Sequence, residues 1–400
     1  MIKAELKNNI IGKLLNHLIV FFINVLIVRL IGIDKSGSYF NELYVINFIA
    51  FMFSIGLDYS AIAWISKYKN VEHTIHTILL KHAVFFSIFL IILFYGWNFF
   101  NRQILNQPII LISLFCVGNL LIILFQGLLT AYKIFNTQNV ILSTTNFIFL
   151  IFLFVLKIFN SHNLNNSILV FTGYAILFFL QGLLMMIFSF KRKTIIDNDF
   201  KLSPFYKNGL IMMLSSLLYL CFVRIDNFFV EKYTNPVTLS NYVQCGKIGQ
   251  YFIYIPSIIT STLLPYISSQ EVAKDYDSWK KIFNPFLKIL IIASIILLLL
   301  GKYLYPFLFG SEFIEMNTYM VIFIPGFMGL SLLTLFNSIY IGKGNIKKIL
   351  IGDAIGLTLV FSLDVFFIPN NGAIAAAIIS STAYMIVAFY LWYNLKNQFE

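Results

Sequence analysis

Runs of 18 or more mostly apolar residues alternate with short polar breaks from one end of the chain to the other. A helix rises about 1.5 Å per residue, so a run of that length crosses a hydrocarbon core of about 30 Å. Backbone amides in lipid find no water, which leaves only helices and closed barrels able to span it. A barrel would alternate with period two over short segments, and these runs do not. The pattern predicts twelve helical spans, at about 10–32, 39–65, 77–97, 108–131, 139–158, 168–190, 207–230, 239–268, 285–308, 317–342, 346–368 and 371–394. The expected fold class is an all-α polytopic membrane protein. The first run follows Lys3, Lys7 and Lys13 with no small-residue cleavage site after it, so it reads as a retained span.

The longest polar connection, Lys191–Tyr206, separates six spans from six. Its charge and Pro204 make it the expected boundary between two lobes, 1–196 with helices 1–6 and 197–400 with helices 7–12. RLIGIDKSGSYFNELYVI after the first span echoes EKYTNPVTLSNYVQCGKI after the seventh. Each is a polar turn, a Tyr and a long helix, as a parallel internal repeat would give.

Composition agrees: 59% of the residues are apolar and 11% charged, where a soluble domain carries about a quarter charged. The formal charge of +11 would suit nucleic acid, but its distribution points to topology. With the N-terminus in the cytoplasm, 20 of the 28 Lys and Arg residues fall in cytoplasmic loops and helix ends, and six on the outer side. That bias predicts both termini in the cytoplasm and contact with anionic membrane lipid. No nucleic-acid partner is implied. Cys116, Cys221 and Cys245 all lie in apolar segments and read as small packing residues, without a disulfide framework or metal site.

Two cations are left inside spans: Arg224 in the seventh, with Asp226 two residues on, and Lys247 in the eighth. A charge at the bilayer centre costs roughly 2.5–3.5 kcal/mol, so such residues face a bundle interior or an aqueous cavity and mark a pathway. Arg224 lies roughly 9 Å and Lys247 roughly 12 Å inside the outer ends of their spans, at one level. Two cations sharing a low-dielectric level repel unless an anion lies between them. Asp226 paired with Lys247 as a structural lock is one reading; a cavity receiving an anionic group is the other.

Polar residues in the spans fall into stripes at helical spacing. Gln244, Lys247, Gln250 and Tyr254 share a face of the eighth span, with Tyr251 beside them. Tyr44, Asn47, Ser54 and Asp58 keep a heptad-like register in the second span; Lys13, His17 and Asn24 align in the first. Arg29 sits about 120–160° from that last stripe and either joins the pathway or snorkels to the interface. Asp353 and Asp364, near opposite ends of the eleventh span, are expected at its interfaces. Pro256, Pro265 and Pro325 favour kinks, and Gly352–Gly356 fits a close helix contact.

Catalytic signatures are missing from this pattern. Gly342-Lys343-Gly344 lacks the spacing of a phosphate loop, and there is no HExxH, GxSxG or Cys/His cluster. An enzyme is not expected, nor a metal or other cofactor.

The chain resembles the polysaccharide flippases of the multidrug/oligosaccharidyl-lipid/polysaccharide exporter (MOP) superfamily, and among them the bacterial O-antigen (Wzx-type) flippases. The matching stretches include VRLIGIDKSGSYF, FSIGLDYSAIAWISKY, FQGLLTAYKIF, FVRIDNFFVEKY, LSNYVQCGKIGQYFIYIPSIITSTLLPYIS, LFGSEFIE and NNGAIAAAIISSTAY. The resemblance implies two six-helix lobes around a central cavity lined by the first, second, seventh and eighth helices. Its implied cargo is an oligosaccharide repeat unit on undecaprenyl diphosphate, moved from the cytoplasmic to the periplasmic leaflet of the inner membrane. Arg224 and Lys247 would then meet the diphosphate, with Arg29 as a weaker third, and Gln244 and Gln250 would suit the sugars. Asp58 and Asp226 would couple an ion or hold those cations, and a polysaccharide polymerase is an expected partner. A cation-coupled multidrug exporter of the same superfamily is the main alternative, against which the basic pair argues. An O-antigen polymerase or ligase would need a large outer loop, and the peptidoglycan-precursor branch usually has fourteen spans.

Overall fold

The computed structural model describes the backbone of residues 2–68, 71–99, 107–159, 166–190, 200–268, 276–342 and 345–396. Among the described residues all regular structure is helical: α1 (Ile2–Ile31), α2 (Ile33–Ser54), α3 (Leu57–Lys67), α4 (Glu72–Phe99), α5 (Ile109–Ala131), α6 (Phe135–Phe159), α7 (Asn166–Phe188), α8 (Leu202–Tyr233), α9 (Pro236–Ser268), α10 (Tyr276–Phe309), α11 (Met316–Gly342) and α12 (Ile346–Lys396), with a 3-10 turn at Ser311–Ile314. Nine described helices are long and apolar enough to cross a membrane, or ten with the bent pair α2–α3 as one span. Dividing α12 at its break gives eleven, and α9, with 33 residues, is the twelfth of spanning length. The chain is an all-helical, multi-pass membrane protein.

The spans depart from separate straight helices at two places, each for a local reason. The second span bends by 43° between α2 and α3. Ile55 and Gly56 take φ of 51° and 64° there, and Gly56 packs against the Gly209 carbonyl where a Cβ would not fit. The stripe read through Asp58 is therefore cut: Tyr44, Asn47 and Ser54 ride on α2, and Asp58 opens α3. The eleventh and twelfth spans join without a loop, in one run of 51 residues broken at Gly372 with φ 60° and ψ −150°. Only glycine adopts that conformation at low cost, and Pro369 stands three residues before it. Pro325 lies inside α11 and Pro256 inside α9; the side chain of Pro265 lies outside the described residues.

The helices pack into two compact units, each with its own core. The first holds residues Met1–Ile31 and Glu42–Leu217; the second holds Gly32–Asn41 and Leu218–Glu400. The start of α2 thus belongs to the second unit, and α8 passes from the first to the second at Leu217–Leu218.

In the first unit α5 is central, buried along most of its length and packed on α3, α4 and α7. Small residues permit the approach, since a Cβ on Gly118 would lie 2.5 Å from the backbone of Phe179 on α7. Neutral groups link the helices. Asn146 on α6 donates to Asn16 on α1 at 2.8 Å, and Gln181 on α7 donates to Thr145 at 2.8 Å and Asn146 at 3.0 Å. Asn119 on α5 donates to Asn47 on α2 at 2.6 Å. In the second unit α11 is central, packed on α9, α10 and α12, and a Cβ on Gly326 would lie 2.5 Å from Ser381. Gly356 of the GxxxG pair lies against the Phe222 ring, and a Cβ on Gly352 would lie 3.3 Å from Val387. The three cysteines are free thiols, with Cys116 and Cys245 buried.

Candidate functional site: the charged interior of the second unit

The C-terminal half of α8 sends Arg224, Asp226 and Asn227 into the second unit. Asp226 is buried at 3% exposure and ties three helices together. Its Oδ2 accepts from the Tyr242 hydroxyl on α9 at 2.5 Å and from the Ser380 hydroxyl on α12 at 2.8 Å. Its Oδ1 accepts from the Asn227 backbone N–H at 2.9 Å. Beside this node the Tyr384 hydroxyl donates to the Val223 carbonyl at 3.2 Å. Each bond satisfies a polar group that would otherwise be stranded in the core.

Arg224 reaches across α9 at Gly246. A Cβ on Gly246 would lie 2.9 Å from the guanidinium Nη1. From there Arg224 interacts electrostatically with both Asp226 and Lys247. The Lys247 ammonium lies 3.2 Å from the centroid of the Phe40 ring, a cation–π contact. Phe40 is brought there by the Gly32–Asn41 segment. The Gly37 N–H donates to the Ser240 hydroxyl at 2.7 Å, that hydroxyl donates to the Ile33 carbonyl, and Asn41 donates to Glu231. A Cβ on Gly37 would come within 2.8 Å of the Ser240 backbone nitrogen, so glycine is what lets the segment lie flat on α9.

Between α8, α9, α11 and α12 lies a narrow cleft with a free volume of about 10 Å³, room for about one water molecule. Arg224, Asp226, Asn227, Tyr242 and Gln250 give it polar walls, and Phe323 and Phe327, stacked 4.9 Å apart, give it an apolar one. Gln244 is 1% exposed, and neither end of its amide has a hydrogen-bond partner among the described residues.

The residues singled out from the sequence therefore fall into two sets. Arg224, Asp226, Gln244, Lys247 and Gln250 are all in the second unit, and Arg224, Asp226 and Gln250 line one cleft. Arg29 and Asp58 belong to the first unit. Arg29 is exposed in the last turn of α1, where its carbonyl accepts from the Lys157 ammonium at 3.1 Å. Asp58 lies in the first turn of α3, close under Gly127, and its Oδ1 has no hydrogen-bond partner among the described residues.

One expectation is corrected. Asp353 and Asp364 are not at exposed interfaces: they are 1% and 0% exposed, and neither carboxylate has a hydrogen-bond partner among the described residues. Depth along a helix does not reveal which face a residue occupies. Eleven residues make about three turns, so the two share the inner face of α12, and Asp364 interacts electrostatically with Asp226. Asn227, Ser380 and Phe40 were not found from sequence. Asn227 could have been, since it lies three residues beyond Arg224 and so on its face of the helix.

No protein-family model matches the chain, and no curated protein matches it in sequence. Solved structures do match in fold. A lipid II flippase, MurJ, in an inward closed conformation superposes with a TM-score of 0.71 at 16% identity, covering 96% of this chain and 87% of that one. A MOP superfamily transporter from Pyrococcus furiosus gives a TM-score of 0.73 at 13% identity over 100% of this chain and 95% of that one. An inward-facing MATE family multidrug resistance transporter gives 0.69 at 13% identity, covering 95% and 94%. The chain has the fold of the MOP superfamily transporters.

Proposed function

We propose that the protein is a flippase for an undecaprenyl-diphosphate-linked oligosaccharide, an O-antigen repeat unit. It moves this lipid from the cytoplasmic to the periplasmic leaflet of a bacterial inner membrane by alternating access, with both termini in the cytoplasm and without a bound cofactor. The observation that carries this reading is the placement of Arg224 and Lys247 on neighbouring helices, electrostatically coupled and turned into the protein rather than toward lipid. Keeping two like charges in such surroundings is costly, and a diphosphate passing between them offsets that cost. The MurJ structure supports the reading, since that protein is described as a lipid II flippase on the same fold. Gln244 and Gln250 supply amides for sugar hydroxyls. Asp226 holds Arg224 in place and is the nearest candidate for coupling to an ion, with Asp58 as its counterpart in the other unit. Residues 1–196 and 197–400 act as the two halves of the transport cycle, and a polysaccharide polymerase takes up the delivered lipid.

The test is a deletion strain assayed for lipid-linked repeat units in the cytoplasmic leaflet. Loss of the protein should trap them there, and Arg224→Gln or Lys247→Gln at normal membrane abundance should not restore surface polysaccharide. Exchanging each for the other basic residue separates a point charge from a forked contact. A second reading, a cation-coupled multidrug exporter, draws on the buried carboxylates Asp353 and Asp364 and on the MATE-type fold. Drug sensitivity on deletion, with surface glycan unchanged, would establish it instead.

A further inference from the structure

In the first unit α1 and α6 lie side by side and leave a groove between them. Its free volume is about 370 Å³, many times the ~30 Å³ share of one water molecule in the liquid. Phe22, Val25 and Leu26 on α1 and Leu150, Ile151 and Phe154 on α6 line it, and all six are apolar. Phe22, Ile151 and Phe154 are half-exposed, so the groove opens to the outside of the unit. The same two helices are joined at both of its ends. On one side Asn146 donates to Asn16 at 2.8 Å; on the other the Lys157 ammonium donates to the Arg29 carbonyl at 3.1 Å. Residues three, four and seven apart share a helix face. The wall of Phe22 and Leu26 therefore leads to Arg29, and the wall of Leu150 and Phe154 leads to Lys157.

Both helices are of spanning length, and an apolar groove on such a pair takes lipid chains rather than water. The cation at its mouth selects which lipid. Ile151 lies about 9 Å down α6 from Lys157, so an ammonium at headgroup level puts the groove at the depth of the first acyl methylenes. An ammonium has three donors, and the Arg29 carbonyl takes one, which leaves two for a phosphate. α6 carries no acidic residue and α1 only Glu5, near its other end, so neither helix supplies a carboxylate to neutralise that charge. We infer that the groove holds an acyl chain of an anionic phospholipid whose phosphate rests on Lys157. A phosphodiester carries a single negative charge, which one ammonium matches, and no wall of the groove offers a partner to a sugar. Arg29 adds positive charge at the same mouth by its place in the last turn of α1, and no bond is asked of it. The bound lipid clamps α1 to α6 between their two hydrogen-bonded ends. The site stands on these two helices alone and is independent of what the protein transports.

The experiment is native mass spectrometry of the full-length protein released from detergent. The probes are phosphatidylglycerol and phosphatidylethanolamine with identical chains, and undecaprenyl phosphate. The first lipid bound should favour phosphatidylglycerol roughly fivefold, the effect of one cation beside an anionic headgroup. Lys157→Gln, at a helix end, should remove most of that preference, and Lys157→Arg should keep it. Leu26→Trp fills the groove and should weaken the first binding of both phospholipids. Should that variant not be recovered, Leu26→Phe should do the same to a smaller degree. Equal affinity of the wild type for the two phospholipids, a preference that survives Lys157→Gln, or unchanged binding in the Leu26 variant overturns the site. Undecaprenyl phosphate should not displace phosphatidylglycerol at equal concentration. Displacement that depends on Lys157 overturns the phospholipid assignment and gives the groove to a polyprenyl lipid.

Discussion

The two units bury polar groups in different ways. In the first, the groups that meet between helices are mostly neutral: Asn16, Asn146, Thr145 and Gln181 form one chain of bonds, and Asn47 and Asn119 another. Such contacts hold membrane helices together at modest gain, since the groups also find partners in the unfolded span. The second unit buries charge. Arg224, Asp226, Lys247, Asp353 and Asp364 all lie within it, and Asp226 alone joins α8, α9 and α12. Neutral amides would have served to join those helices at lower desolvation cost. The first unit keeps such a carboxylate, Asp58, whereas the second gathers five charged groups.

The contrast breaks most sharply at Asp226. Asp226→Ala removes the acceptor for Tyr242 and Ser380 and the counter-charge beside Arg224. Truncating one partner of a buried charged network costs about 3–5 kcal/mol. The variant should lose monodispersity on size exclusion and most of its thermal stability in detergent. Asp226→Asn keeps the shape and one acceptor, and should recover much of that stability without recovering transport. If Asp226→Ala is as stable as the wild type, the node is not structural and the difference between the units is only one of composition.

Close approaches at glycine sharpen the comparison at a smaller scale. Gly182→Ala in the first unit would push a methyl to within 2.7 Å of the Gly118 carbonyl; Gly37→Ala in the second would push one against the Ser240 backbone. Each overpacks a tight contact and should destabilise by about 1–3 kcal/mol in thermal unfolding. Their effects on transport should separate. Gly37→Ala lifts the segment that carries Phe40 over Lys247, so surface polysaccharide should fall further than the stability loss explains. Gly182→Ala should reduce polysaccharide only in step with abundance.

Much of the fold was legible because the bilayer enforces it. Apolar runs of spanning length pointed to most helices among the described residues; the break at Gly56 bends the second span, and the one at Gly372 joins the eleventh to the twelfth. The site was legible in part for a similar reason: Arg224 and Lys247 stood out because lipid penalises charge. What could not be read was which face each polar residue takes and which distant residue meets it. Asp353 and Asp364 looked interfacial by depth and are buried by azimuth. Ser380 sits in a run of small residues with nothing to distinguish it until α12 brings it to Asp226. Phe40 is an ordinary aromatic until the Gly32–Asn41 segment places it on Lys247. Pairings across 154 or 207 residues of sequence, such as Ser380–Asp226 and Ser240–Ile33, are products of tertiary packing.

The smallest expected effect concerns the first unit, where the amides should be glue and nothing more. Gln181 donates one amide group to both Thr145 and Asn146 and is 2% exposed. Gln181→Leu removes both bonds, keeps most of the volume, and leaves Asn146 still bonded to Asn16. Interhelical hydrogen bonds in membranes average about 0.6 kcal/mol and reach about 1.7, so the loss should be on the order of 1 kcal/mol in reversible unfolding. Surface polysaccharide, normalised to the amount of protein in the membrane, should match the wild type. A larger transport defect than that would mean that the neutral network in the first unit also meets the cargo, and the division of labour between the units would have to be drawn elsewhere.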